Sequence, residues 1–263
     1  MLLTKDFKYQ EIFIPCINKK NKNNILFIYD ILSSYRYQKI GEQLSRNFNF
    51  YAFNVFFDAD YHITLSKPNI AKWCEYIATY IKSHKLDLSK TIIISQYYSC
   101  ALMPTLNKIL NGKIKKIIYV SPFVKFSLRT KKMLLNILRK DSQGASILYN
   151  DIDQLKNDVN WIQTSRLENI VSQANFRDLK RIINYFHKFF VRIQIKNQQK
   201  HLDYKLGLFL GEKDQLVNFR KIQKIFSGTK TIRLYPFFNS KLCCFEEEEY
   251  KFTDCVIDFF ERV

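Results

Sequence analysis

No apolar run in this chain approaches the roughly 20 residues of a membrane span. The opening stretch MLLTKDFKYQ carries charges where a signal peptide needs its apolar segment. A soluble, cytoplasmic protein is expected. The six cysteines (Cys16, Cys74, Cys100, Cys243, Cys244 and Cys255) form no CxxC pair and no metal-ligand spacing with the four histidines. Buried free thiols are expected, with no metal and no cofactor. No RNP-like motif, zinc finger or recognition-helix pattern is present. Only six glycines and five prolines punctuate the chain, and no internal repeat or low-complexity linker separates its parts.

What is present is a basic, aromatic-rich chain of 263 residues, 47% hydrophobic, with 42 Lys and Arg against 24 Asp and Glu. One domain with an insertion fits this length, and the apolar content suffices for a sizeable core. The formal charge of +18 has two explanations. One is an anionic partner: nucleic acid, acidic lipid headgroups or a phosphorylated ligand. The other is the codon bias of an AT-rich genome, which also enriches Asn, Ile, Phe and Tyr.

Strand and helix patterns alternate. Phe7 to Ile17 and Ile25 to Tyr29 read as two strands of an antiparallel edge hairpin around the polar turn Asn18–Asn24. Tyr37, Ile40, Leu44 and Phe48 share a helix face, and Phe50 to Phe57 is the next strand. Ile70, Trp73, Cys74, Ile77, Ala78 and Ile81 form a helical stripe that starts near Pro68-Asn69. Thr91 to Ile94 reads as a buried central strand. Ser95-Gln96-Tyr97-Tyr98-Ser99 follows it, then a helix that ends at Asn111-Gly112. Pro104 is expected to kink that helix. Ile114 to Val120, Tyr204 to Leu210 and Thr229 to Tyr235 are further strands. Leu216 to Phe226 and Phe252 to Phe260 are helices. The glutamates Glu246 to Glu249 precede the last helix, where its macrodipole favours them.

Between Phe123 and Lys200 the strand signal disappears. Helical stripes run through Met133–Leu138 and Phe176–Phe190, with 15 basic against 6 acidic residues from Lys125 to Lys200.

Strand, sharp turn and helix at 91–110 resemble the nucleophile elbow of the α/β-hydrolase family, whose pattern is small-x-nucleophile-x-small. The resemblance implies a three-layer α/β sandwich of about eight mostly parallel strands. It implies a core of residues 1–122 and 201–263, and a helical cap at 123–200. Ser95 and Ser99 take the glycine places, and Tyr97 takes the nucleophile's. Leu208-Phe-Leu-Gly-Glu-Lys-Asp214 resembles the loop carrying the triad acid, at Asp214. In cap-bearing esterases and lipases the triad histidine lies about five residues before an acidic pair like Glu246-Glu247. Here that position is Lys241, or Ser240 or Leu242 in a shifted register. No histidine follows His201. The loop after the first core strand reads Tyr29-Asp30-Ile31-Leu32 in place of a His-Gly oxyanion motif.

The residues singled out are therefore Tyr97, Asp214 and Lys241 as occupants of the three catalytic slots. Tyr29, Asp30, Tyr98, Ser99 and His62 are candidate binding residues. A phenol with a pKa of about 10 needs a base to act as a nucleophile at neutral pH. Lys241 serves as that base only with a strongly lowered pKa. Asp214 equally suits capping of the following helix. Ser99 and Cys100 are expected to point into the helix–sheet packing. Without catalysis, backbone strain at Tyr97 has no purpose, so a relaxed turn is expected.

Three readings follow. The first is a degenerate, non-catalytic member that binds a small acyl-type ligand or a protein. The second is an esterase- or lysophospholipase-like acyl hydrolase with an altered site. The third is a binder of anionic lipid or nucleic acid through a basic cap.

Overall fold

Strand Thr91–Gln96 lies at the middle of a seven-stranded sheet. The computed structural model describes residues 9–29, 37–58, 64–65, 67–123, 176–192, 204–214, 217–227, 231–240 and 244–262. Numbered in chain order among these, the strands are β1 (Tyr9–Ile14), β2 (Asn24–Tyr29), β3 (Asn49–Asp58), β4 (Thr91–Gln96), β5 (Lys116–Val120), β6 (Lys205–Gly211) and β7 (Ile232–Phe237). The helices are α1 (Tyr37–Leu44), α2 (Ile70–Ser83), α3 (Met103–Ile109), α4 (Phe176–Arg192), α5 (Phe219–Phe226), α6 (Cys244–Glu247) and α7 (Glu249–Arg262).

Spatial order is β1-β3-β2-β4-β5-β6-β7. All pairs are parallel except β1 with β3. The expected hairpin does not form. Both edges of β2 are occupied, by β3 and β4, so β1 crosses to the free edge of β3 and sets Ile14 against Phe50. Seven strands are present among the described residues, where the sequence predicts about eight. β7 starts three residues later than predicted and contains Pro236, which an edge strand tolerates because its missing N–H has no ladder partner to lose.

Side chains alternate along each strand and divide the core in two. Leu26, Ile28, Ile93, Ile117, Tyr119, Leu206 and Leu208 face a layer built from α2, α3, α4 and α5. Ile25, Phe27, Ile92, Ile94, Ile118, Val120 and Phe209 face α1 and α7. The result is a helix–sheet–helix sandwich.

Local signals hold where they are strong. Asn69 caps α2 by accepting the Lys72 N–H at 3.2 Å. Pro104 lies in the first turn of α3, where proline is tolerated; the preceding turn, Tyr97–Leu102, is 3-10 rather than α.

No helix among the described residues is long and apolar enough to cross a membrane. Of the region 123–200, Phe123 and α4 are described. The Met133–Leu138 stripe lies outside the described residues.

Candidate functional site

β4 ends at Gln96 and the chain turns on Tyr97, whose φ is 43°. This overturns the expected relaxed turn. A bulky residue in the left-handed region costs roughly 1–3 kcal/mol and persists only where the surroundings over-determine it. Those surroundings are the small polar neighbours. Ser99 is fully buried; its Oγ accepts the Gln96 N–H at 2.7 Å and lies 2.6 Å from the Gln96 carbonyl and 2.9 Å from the Ile28 carbonyl. The hydroxyl thus ties the turn to β2. The Cys100 thiol points at the Ser95 carbonyl, 3.2 Å away, and the Ser95 hydroxyl lies 3.6 Å from that sulfur. Both residues are committed to the turn itself.

Above the turn the rings pack on one another. Tyr97 stacks on Phe123 with centroids 5.0 Å apart and planes 25° from parallel. Tyr98 meets Phe123 edge-on at 4.9 Å and Phe186 of α4 at 4.9 Å. Phe186 in turn stacks on Trp73 of α2 at 5.6 Å, with planes 9° apart, and meets Phe56 of β3 edge-on. Tyr97 is 5% exposed; Tyr98 and Phe186 are fully buried. Two hydrogen bonds pin the periphery. The Tyr185 hydroxyl accepts the Ile70 N–H at 3.2 Å, and Trp73 Nε1 donates to Thr64 Oγ at 3.1 Å. Helix α4 is therefore seated over the carboxyl ends of β3 and β4. Phe123, Phe186 and Trp73 were not singled out as site residues. Trp73 and Phe186 lie on separate helical stripes, and Phe123 follows the end of β5, so nothing local in the sequence joins the three.

The acid loop follows β6. Asp214 is half-buried, and its Oδ1 accepts the Val217 N–H at 2.9 Å, a cap on the segment leading to α5. Backbone bonds zip this loop to the one after β7. Glu212 N–H donates to the Phe237 carbonyl at 2.9 Å and Lys213 N–H to the Ser240 carbonyl at 3.1 Å. The acid loop and the end of the histidine-slot segment are thus neighbours. Gly211 makes this approach feasible, since a Cβ there would sit 2.6 Å from the Ser240 carbonyl oxygen.

Ser240 is buried and donates its hydroxyl to Glu247 Oε2 at 2.7 Å. The Asn239 N–H donates to Glu248 Oε1 at 3.0 Å, and Glu249 pairs with Lys39 at 2.9 Å. The acidic run therefore locks the 238–240 turn as well as complementing the helix dipole. Cys244, beneath this loop, has its thiol pushed well up, by burial first and then by Glu247 and Asp214.

Tyr29 ends β2, buried. Lys241, Asp30 and His62 lie outside the described residues. Among the described residues no three His, Cys, Asp or Glu side chains converge as a metal site. The five described cysteines are free thiols, and all but Cys255 are buried.

No family model and no curated protein sequence matches this chain. Solved structures do. A hydrolase from Oleispira antarctica superposes with a TM-score of 0.75 at 11% identity, covering 97% of this chain and 96% of the other. A structure from work on carboxylesterases of the thaumarchaeon Nitrososphaera gargenis superposes at 0.73 and 12% identity, covering 98% and 96%. An α/β hydrolase from a Medee basin deep-sea metagenome library superposes at 0.68 and 15%, covering 98% and 95%. With the sheet order, the antiparallel first strand and the elbow after β4, these likenesses establish that the chain has the α/β-hydrolase fold.

Proposed function

We propose that this protein keeps the α/β-hydrolase fold as an interaction scaffold and does not run Ser-His-Asp acyl chemistry. The observation that carries this reading is the Tyr97 ring stacked on Phe123 and 5% exposed, at the position where a hydrolase presents its nucleophile to substrate. The packing of Tyr98 against Phe123 and Phe186 supports it, because these rings pack directly over the turn. Asp214 is accounted for by its cap on the Val217 N–H. A filled elbow favours a protein partner over a small acyl-type ligand held beneath the helices.

A specific observation favours a second reading, an ester hydrolase with an altered site. The strained backbone at Tyr97 is retained, and strain of this kind clusters at catalytic turns. In that reading Tyr97 is the nucleophile, Lys241 its base and Asp214 the orienting acid.

Hydrolysis of short- and medium-chain p-nitrophenyl esters separates the two, with Tyr97→Phe and Asp214→Ala measured beside the wild type. The scaffold reading expects no turnover above buffer from any of the three. Turnover by the wild type that both substitutions abolish would replace it with the altered hydrolase.

A further inference from the structure

We propose that the edge of the sheet opposite the elbow is a docking face for an anionic lipid bilayer. The parallel strands begin level with one another at Asn24, Asn49, Thr91, Lys116 and Lys205. Exposed lysines crowd this edge. Lys19, Lys20 and Lys22 precede β2, Lys90 precedes β4, Lys113 and Lys115 precede β5, and Lys205 opens β6. Crossover helices run antiparallel to their strands, so helix carboxyl ends return to the same edge. They bring exposed Lys82 and Lys85 at the end of α2, Lys108 at the end of α3 and Lys224 at the end of α5.

Acidic residues are fewer at this edge: Glu42 is exposed near the end of α1, and Glu11 lies 3.6 Å from His84. Asp87 is spent on capping Ser89. At the end of α7, Glu261 is exposed and Asp258 is paired with Arg233 and Arg262. The elbow edge is mixed among the described residues, with Glu212, Asp214, Glu247, Glu248 and Glu249 set beside Lys39, Lys67, Lys72, Lys213 and Lys251.

Two features select a bilayer over a nucleic acid. The first is exposed aliphatic residues set among the lysines. Ile17 is 71% exposed and directly precedes Asn18-Lys19-Lys20, with its own N–H bonded to the Ser45 carbonyl at 2.8 Å. Ile109 is 38% exposed beside Lys108. Apolar tips flanked by lysines suit insertion at an anionic lipid surface. The second is the kind of cation. The edge is built mostly from lysine; Arg46 is exposed beside the 17–22 loop, while Arg233 and Arg262 are tied to Asp258, so guanidinium forks are few. This proposal is independent of whether the elbow catalyses anything.

The test is sedimentation of the full chain with phosphatidylcholine vesicles containing about one-third phosphatidylserine, near 0.1 M salt. Beside the wild type runs a variant combining Lys19→Gln, Lys20→Gln, Lys22→Gln, Lys113→Gln and Lys115→Gln. These side chains are exposed, and an unchanged melting temperature verifies the fold. The wild type is expected to partition at least about 100-fold more strongly than the variant, and to ignore pure phosphatidylcholine. Ile17→Ser alone is expected to weaken partition several-fold. Equal partition of wild type and variant would overturn the proposal. So would binding of a single-stranded oligonucleotide without binding of anionic vesicles, and so would binding of neither.

Discussion

Tyr97 and Phe123 stack with their ring centroids 5.0 Å apart, and the backbone of Tyr97 is left-handed at φ 43°. The strain and the stack belong together. The turn directs the ring onto Phe123, and burial of both rings offsets a conformation that tyrosine otherwise avoids. Glycine scanning tests the strain. In ordinary helix or strand positions glycine is less stable than alanine by roughly 0.5–1 kcal/mol. At this φ the order should invert, with Tyr97→Gly more stable than Tyr97→Ala by about 1 kcal/mol, because both lose the stack and only alanine keeps the strain. Urea denaturation of the two variants decides it, and alanine as the more stable would mean a relaxed turn in solution.

The elbow is roofed by α4 through one ring. Phe186 is fully buried between Tyr98, Trp73 and Phe56. Phe186→Ala should cost roughly 3–5 kcal/mol, as large aromatic truncations in cores do. Tyr185→Phe, which removes only the acceptor for the Ile70 N–H, should cost about 1 kcal/mol. A penalty for Phe186→Ala no larger than that for Tyr185→Phe would mean that α4 does not pack on the elbow.

These contacts explain which parts of the molecule are legible in the sequence. The alternation of strands and helices, the Asn69 cap and the elbow depend on residues within a few positions of one another. The partner of β1 is not local; it follows from which edges β2 leaves free, and the sequence suggests a hairpin instead. The strain at Tyr97 is not local either. Ser99 holds the turn by reaching the Ile28 carbonyl 71 residues away, and Tyr185 reaches Ile70 across 115. A motif shows which residue occupies a slot, but its backbone conformation depends on distant clamps.

The acidic run before α7 behaves as a lock, and a double-mutant cycle measures it. Ser240→Ala removes the donor and Glu247→Ala the acceptor of the 2.7 Å hydrogen bond. Each should cost about 1–2 kcal/mol, and the pair should cost about 1 kcal/mol less than the sum. Gly211→Ala attacks the same junction from the other loop by forcing its Cβ toward the Ser240 carbonyl, and should destabilise by about 1–3 kcal/mol. Strict additivity of Ser240→Ala and Glu247→Ala would show that the contact carries no energy.

Alkaline stability reports on two tyrosines. Burial and a hydrogen bond to Asp258 Oδ2 at 2.8 Å push the Tyr235 phenol up to about 12. Burial beside the Tyr204 hydroxyl, 3.2 Å away, holds Tyr119 well above the usual range. A phenol whose pKa is higher folded than unfolded adds stability that is complete below its unfolded value of about 10 and is lost as the pH rises through its folded value. The buried thiols of Cys74, Cys244 and Cys255 are raised as well, so the urea midpoint should begin to fall above about pH 8.5, the unfolded thiol value, and fall more steeply between about pH 10 and 12, where the two phenols add to the loss. Tyr235→Phe removes one of the two phenol contributions, so its midpoint should fall less steeply over the same interval. Tyr119→Phe should do the same, and the wild-type spectrum minus that of Tyr119→Phe should show no phenolate absorbance at 295 nm until the protein unfolds. If Tyr235→Phe follows the wild-type profile at every pH, the hydrogen bond to Asp258 does not persist in solution.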